Sequence, residues 1–253
     1  MKNSMKAMFL AFASVSVLAW YQQGTVAQAK VHKVDTTVVS KKGNQKVLSN
    51  KLEVPKVDYS VTPNPLPNKT GDPYATPTLG IKYFTDTINY SYGSGVSNQY
   101  KYIYQKAIKS WNYSLKENNI QVHFKYSESN PEVYLIQGTY LKDDPNISNN
   151  ELTVGLTETN SYPEYRDEAL SSYNSYVFLY KDSLDVAQLN TTMKQDVATH
   201  ELGHVLGLDH NTEVTNDIMQ PELLPNGKYQ ITSHDLASVK QLYGLREVTY
   251  YGK

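Results

Sequence analysis

The chain has 253 residues, no cysteine and a formal net charge of −1. That length suits one large domain with extensions, or two small domains. Without cysteine there are no disulfides, thiolate metal sites or cysteine nucleophiles, and near-neutrality argues against a nucleic-acid binder or a protein held electrostatically on a membrane.

The charge is unevenly spread: residues 30–76 carry a net of +4 and residues 77–253 a net of −7. The first 29 residues have the build of a secretory signal peptide. Lys2 and Lys6 make a basic start, Ala7 to Trp20 is a charge-free, mostly apolar run of 14, and Ala27-Gln28-Ala29 offers small residues for cleavage before Lys30. The run is short for a membrane span, so no stable insertion is expected once it is removed. Residues 30–76 are basic and run into "VTPNPLPNKTGDPYATPT", residues 61–78, which holds five of the eleven prolines. Such a stretch reads as an extended linker, and the whole segment as a propeptide or a spacer. A spacer of this charge would be drawn to anionic cell-wall polymers. The folded domain is expected over residues 77–253.

"IKYFTDTINYSY" carries β-branched and aromatic residues and predicts one strand or two pieces. From Ser97 to Asn118, Tyr100, Tyr104, Ile108, Trp111 and Leu115 recur at helical spacing. "IQVHFKY" alternates as a half-buried strand. "EVYLIQGTYL", "ELTVGLTET" and "SYVFLYK" predict further strands. Thr191 to Leu206 reads as a helix ended by Gly207, and a last helix starts at Thr232, with Asp235 at capping-box spacing. Strands with two or three helices give one α/β or α+β domain. The 22 tyrosines, against 5 phenylalanines, suggest a sheet-rich exterior with hydroxyls at its rim.

The chemistry lies in "HELGHVLGLDH", His200 to His210. Residues four apart on a helix share a face, so His200 and His204 can point their imidazoles at one ion. Glu201 sits one step round, placed to reach a water rather than the metal. Gly207 can take a positive φ and turn the chain, bringing His210 back as a third ligand. Three protein ligands leave one position open, the arrangement of a catalytic zinc site. Zinc would lower the pKa of a water toward neutrality, and Glu201 would take its proton and pass it to the leaving amine. Met219, nine residues beyond His210 and followed by Pro221, would by itself read as a buried core residue; after three histidines at this spacing it resembles the methionine turn that lies beneath the zinc in metzincins.

These residues resemble the metzincin metallopeptidases, and among them the matrixins. "ATHELGHVLGLDH" is similar to the matrixin zinc motif, including Asp209 before the third histidine. "AIKSWN" is similar to the tryptophan-bearing helix of matrixin catalytic domains, and "ITSHDLASVKQLYG" to their closing helix. The resemblance covers about Pro77 to Leu245. It implies a twisted, mixed five-stranded sheet with an active-site helix and a C-terminal helix. A peptide would add itself to the antiparallel edge strand, near Leu152 to Leu156 or Tyr176 to Tyr180.

The departures are informative. Matrixins of animals carry a second, structural zinc on further histidines and an aspartate. His32, His123 and His234 remain here without His-x-Asp spacing, so one catalytic ion is expected. Calcium would need only oxygen ligands; "KDDPN" around Asp143 and Asp144 reads better as a solvated turn, so calcium stays open but unsupported. The propeptide cysteine that keeps the animal enzymes latent is absent, which leaves Asp35, Glu53 or Asp58 as candidate substitutes. Pro221-Glu222-Leu223 lacks the tyrosine that walls the matrixin specificity pocket, so specificity does not carry over.

The expected function is that of a secreted or wall-associated, monomeric zinc endopeptidase acting on protein or peptide substrates. Two alternatives compete with it: a non-catalytic adhesion protein on a peptidase scaffold, and an amidase acting on cell-wall peptide crosslinks. The intact Glu201 speaks against the first.

Overall fold

The computed structural model describes residues 30–34, 38–39, 64–139, 153–166, 168–223 and 227–244. The expected signal peptide, Asp35, Glu53, Asp58, Asp143 and Asp144 lie outside the described residues. In chain order the elements are β1 (Lys30–Val34), β2 (Val38–Val39), β3 (Ile81–Lys82), β4 (Thr87–Tyr92), α1 (Asn98–Glu117), β5 (His123–Tyr126), β6 (Val133–Gly138), β7 (Gly155–Arg166) and β8 (Ala169–Tyr180). They are followed by α2 (Lys181–Val186), α3 (Thr191–Val205), β9 (Glu222–Leu223) and α4 (Ser233–Tyr243).

Helix α1 forms where the three-and-four spacing predicts it. Tyr100, Tyr104, Ile108, Trp111 and Leu115 are buried, and Ile103 and Ala107 widen the stripe. Fully burying each large side chain contributes roughly 1.5–3 kcal/mol, enough to hold the helix on the sheet. It ends where Asn119 adopts a left-handed backbone, φ 56°, a conformation asparagine tolerates better than most residues. Ile120 N–H then donates to the Leu115 carbonyl at 2.9 Å.

The sheet order is β1-β7-β8-β6-β4-β5, with β3 paired to the start of β8. Strands β5, β4, β6 and β8 are parallel, and β7 runs antiparallel to β8. The expected five strands are therefore the central five. Two more join them because β3 is a separate piece of the first predicted strand and β1 adds to β7. Alternation sends Ile88, Val133, Leu135, Val177 and Leu179 toward the helices. The opposite face stacks Tyr134 on Tyr176 and Phe178 on Tyr180. The exterior reading of the tyrosines holds for only part of them. Tyr83, Tyr100 and Tyr104 are fully buried, and the Tyr104 hydroxyl sits 2.8 and 2.9 Å from the Ile136 and Val177 carbonyls, which satisfies it in the core.

Strands β7 and β8 extend beyond the predicted segments into a hairpin, with Arg166 opposite Ala169 and Glu168 at φ 67°. Polar residues, Pro163 and register shifts between Asn160 and Tyr165 hid that extension from the sequence pattern. Strand β8 is flanked on both sides, so Tyr176 to Tyr180 is not an edge; β7 is the outer antiparallel strand of the central five.

Helix α3 begins at Asn190, whose side chain accepts from Met193 N–H at 3.0 Å. Its second half is buried on all sides, because α1 packs on it and β7 and β8 lie beneath. The Trp111 indole donates to the Thr199 carbonyl at 2.8 Å, locking the two helices together. Helix α4 has the expected capping box of Thr232 and Asp235. The proline-rich residues 64–76 run over this body and bond to it. Lys69 N–H donates to Gln241, and the Thr76 hydroxyl to Asp235 at 2.6 Å.

Candidate metal centre

One turn of α3 separates His200 from His204, and both are fully buried. The turn that follows the helix brings in His210. Gly207 has φ 90°, and a Cβ there would overlap the Ile81 carbonyl oxygen. Glycine alone satisfies both conditions. Leu79 N–H donates to the Gly207 carbonyl at 2.8 Å and Asp209 N–H to the Pro77 carbonyl at 2.8 Å, pinning the returning chain against residues 77–79. The Asp209 carboxylate accepts from the His210 N–H at 2.7 Å. The three ring centroids are then 4.6, 5.2 and 5.0 Å apart, and one ligand atom from each ring lies within 4.8 Å of the others.

The protonation pattern of these rings fits a metal. His200 Nδ1 lies 2.7 Å from the Ile218 carbonyl, and His204 Nδ1 lies 2.8 Å from the Leu208 carbonyl. A carbonyl only accepts, so each Nδ1 carries the proton and each Nε2 carries a lone pair. Those two Nε2 atoms are 3.0 Å apart. A second proton does not relieve this approach. Burial holds the His200 pKa down to about 3, with repulsion from His210 adding to it, and burial likewise holds His204 well below its ordinary value. Converging imidazole lone pairs with their far nitrogens bound to carbonyls are the donor set of a divalent transition ion.

Met219 is fully buried under this group. Its N–H donates to Asp217 at 2.8 Å, its carbonyl accepts from Asn211 N–H at 2.9 Å, and a Cβ at Gly203 would overlap its sulfur. The turn thus supports α3 from below while the neighbouring Ile218 carbonyl orients His200. Asp217 also accepts from the Thr232 hydroxyl at 2.7 Å, which ties the turn to the cap of α4. Burial, and then the Asp217 charge, raise the Asp235 carboxyl well above its usual range. None of this buried acid network was legible in the sequence beyond the capping-box spacing.

Glu201 is fully buried and follows His200 directly on α3. The Thr157 hydroxyl lies 2.8 Å from its Oε2 and 2.9 Å from its backbone carbonyl. A Cβ on Gly155 would overlap its carboxylate. Sequence reasoning missed both β7 residues. The one available signal was the glycine inside a strand pattern, which marks a close approach of another group. Gly155→Ala is therefore expected to push the Glu201 side chain aside and lower peptide hydrolysis at least tenfold with metal content unchanged. Peptide kinetics beside metal analysis check this, and full activity in the variant would show that the carboxylate has room to give.

The other histidines are elsewhere. His123 Nε2 lies 3.3 Å from the Thr87 hydroxyl, and His234 Nδ1 lies 2.7 Å from an Asp72 oxygen. The side chain of His32 is outside the described residues.

The matrixin family model matches residues 89–244, from β4 through the end of α4. The chain belongs to the matrixin family. Matrixins are zinc-dependent, and the three-imidazole group is the part of this one that could hold the ion. It is 45% identical to metalloendoproteinase 1-MMP of Arabidopsis thaliana over 51 residues, which are 20% of this chain and 14% of that protein. It is 39% identical to interstitial collagenase of Sus scrofa over 51 residues, 20% of this chain and 11% of the collagenase. The interstitial collagenase of Oryctolagus cuniculus is 40% identical over 48 residues, 19% of this chain and 10% of that protein. The aligned stretches thus span about a seventh or less of the curated relatives' lengths.

Proposed function

We propose that this matrixin is an exported zinc endopeptidase that hydrolyses amide bonds in proteins or peptides. His200, His204 and His210 hold the ion, Met219 and Gly207 shape its support, and Glu201 is the general base. The observation that carries this reading is a group of three converging imidazoles, with a buried carboxylate that follows the first of them on α3 and is fixed by Thr157. When bound, the ion supplies Lewis acidity, which makes a water more acidic and polarises the scissile carbonyl.

The chain's own residues do the rest. The Thr157 hydroxyl holds Glu201 Oε2 and so fixes where the carboxylate points. Glu201 takes a proton from the attacking water as the carbon–oxygen bond forms, and delivers it to the amine nitrogen as the carbon–nitrogen bond breaks. No covalent enzyme intermediate is needed. The missing Cβ at Gly155 makes room for the Glu201 carboxylate against the start of β7. An extended peptide substrate would pair antiparallel to β7 beside that residue, in the place β1 takes along the strand's outer edge.

Residues 1–29 are read as the export signal and residues 30–76 as a propeptide or spacer. Among the described residues no helix is long and apolar enough to cross a membrane. The decisive assay incubates the purified protein with casein and, separately, with purified cell wall. Casein cleavage that a chelator abolishes and stoichiometric zinc restores is the expected result. Cleavage of wall crosslinks but not casein would favour an amidase, and zinc binding without hydrolysis of either would favour an adhesion protein.

A further inference from the structure

The outer side of α1 carries a charge pattern that the metal centre does not use. Residues 77–253 hold 14 Lys and Arg against 21 Asp and Glu, yet α1 alone supplies four of those cations, Lys101, Lys106, Lys109 and Lys116, with Glu117 as its only acid. Tyr102, Lys106, Lys109, Tyr113 and Lys116 follow one another at steps of four and three. They therefore fall within about 80° of the helix circumference and make a stripe about 21 Å long. All five are exposed, Tyr102 to 48% and Tyr113 to 64%. Lys106 Nζ stands 5.3 Å from the centre of the Tyr102 ring. None of the three stripe lysines forms an ion pair among the described residues. Trp111, on the opposite side of α1, is the residue that bonds α3, so the stripe faces away from the imidazoles.

Like charges three residues apart, as Lys106 and Lys109 are, destabilise a helix, and an anionic partner relieves them. The chemistry of the stripe narrows that partner. The stripe has no aliphatic side chain and the apolar face of α1 is buried in the core, so the helix cannot settle into a bilayer by an apolar face. One convex helix surface offers neither a strand edge nor a cleft to a peptide. It does suit a long, repeating polyanion, which meets the ammonium groups one after another and lays sugar rings against the two tyrosines, each an apolar face with a hydroxyl at its rim. The acidic remainder of the domain repels such a polymer and so favours this face. We propose that the outer face of α1 docks a linear anionic carbohydrate polymer of the cell wall, holding the protein on the wall with its metal centre free. The inference rests on the export part of the reading above, which brings the polymer within reach. The surface is separate from the basic residues 30–76 and outlasts their removal.

The test sediments the full chain, carrying Glu201→Ala to prevent self-cleavage, with purified, protein-free bacterial cell wall. Adding Lys106→Gln/Lys109→Gln/Lys116→Gln should weaken binding about a hundredfold, since each lysine near an anionic surface contributes about fivefold. Raising the salt from about 50 to about 500 mM should release the parent, because the Debye length falls from about 14 to about 4 Å. Lys181→Gln/Lys228→Gln/Lys240→Gln removes the same charge from other elements and should bind like the parent. Tyr113→Ser should weaken binding severalfold at unchanged net charge, and an unchanged affinity would overturn the carbohydrate assignment. Parent and variants should share one Tm, which separates lost docking from lost folding. A parent that stays in the supernatant, equal binding by the stripe variant, or an equal loss in the other triple variant would overturn the proposal. So would equally tight, salt-sensitive capture of the parent by anionic lipid vesicles. Repeating the assay on wall stripped of its phosphodiester polymers identifies the anion: binding lost with them assigns their phosphates, and binding kept assigns the carboxylates of the residual glycan. Every arm measures binding with purified components. A chain that is not exported or hydrolyses nothing can therefore still dock, and one that fails to dock leaves the peptidase reading untouched.

Discussion

Glu201→Gln should lower kcat/KM for a peptide substrate by about a thousandfold while leaving zinc bound. General acid–base catalysis contributes about 10²–10⁴ in rate, and a thousandfold corresponds to about 4 kcal/mol of transition-state stabilisation. Glutamine keeps the shape and can still accept from the Thr157 hydroxyl, so the side chain stays in place. It cannot take a proton from water at neutral pH. The imidazole–carbonyl contacts of His200 and His204 do not involve Glu201, so the donor set survives. Glu201→Ala should behave alike, with zinc retained and hydrolysis lost. The measurement is steady-state kinetics on protein whose zinc content has been determined in the same sample. A zinc-loaded variant within tenfold of the parent would remove Glu201 from the role of base.

His204→Ala should abolish both zinc binding and hydrolysis, a different signature. His204 supplies one of only three imidazoles, and its Nδ1 also bonds the Leu208 carbonyl in the turn that returns His210. Removing it deletes a ligand and loosens the turn that positions another. The effect should appear in stability as well. A ligand that binds only the folded state stabilises it by mass action, about 2.7 kcal/mol at a hundredfold excess over Kd. The parent should lose several degrees in Tm when zinc is chelated, and so should Glu201→Gln. His204→Ala should show no response to chelator. A His204→Ala protein that binds one zinc with near-parental affinity would mean that the ion sits elsewhere.

Much of the site was legible because its parts are local. The i, i+4 step that aligns His200 with His204 is a property of one helix, as is the cap of Thr232 and Asp235 on α4. The glycine that lets the chain return with His210 lies only three residues before it. Strand and helix positions along α1 and β5 followed from apolar periodicity for the same reason. Periodicity failed where burial does not alternate. Helix α2 is six residues long, too short to show a stripe, and Lys181 was read as the end of a strand. The polar hairpin of β7 and β8 is held by its register of backbone bonds, to which side-chain type is nearly silent.

The sequence by itself determined the composition of the three-histidine group proposed to bind the ion, the helical face that presents it and the α/β class, because each depends on residues within a turn or two of one another. Only the tertiary structure decided that Thr157 and Gly155 of a distant strand fix and make room for Glu201, that Met219 lies against Gly203, and that β1 lies along β7. Those contacts join residues 16 to more than 120 positions apart. Chain folding brings such pairs together by shape and backbone hydrogen bonding, and neither leaves a spacing that can be read along the chain.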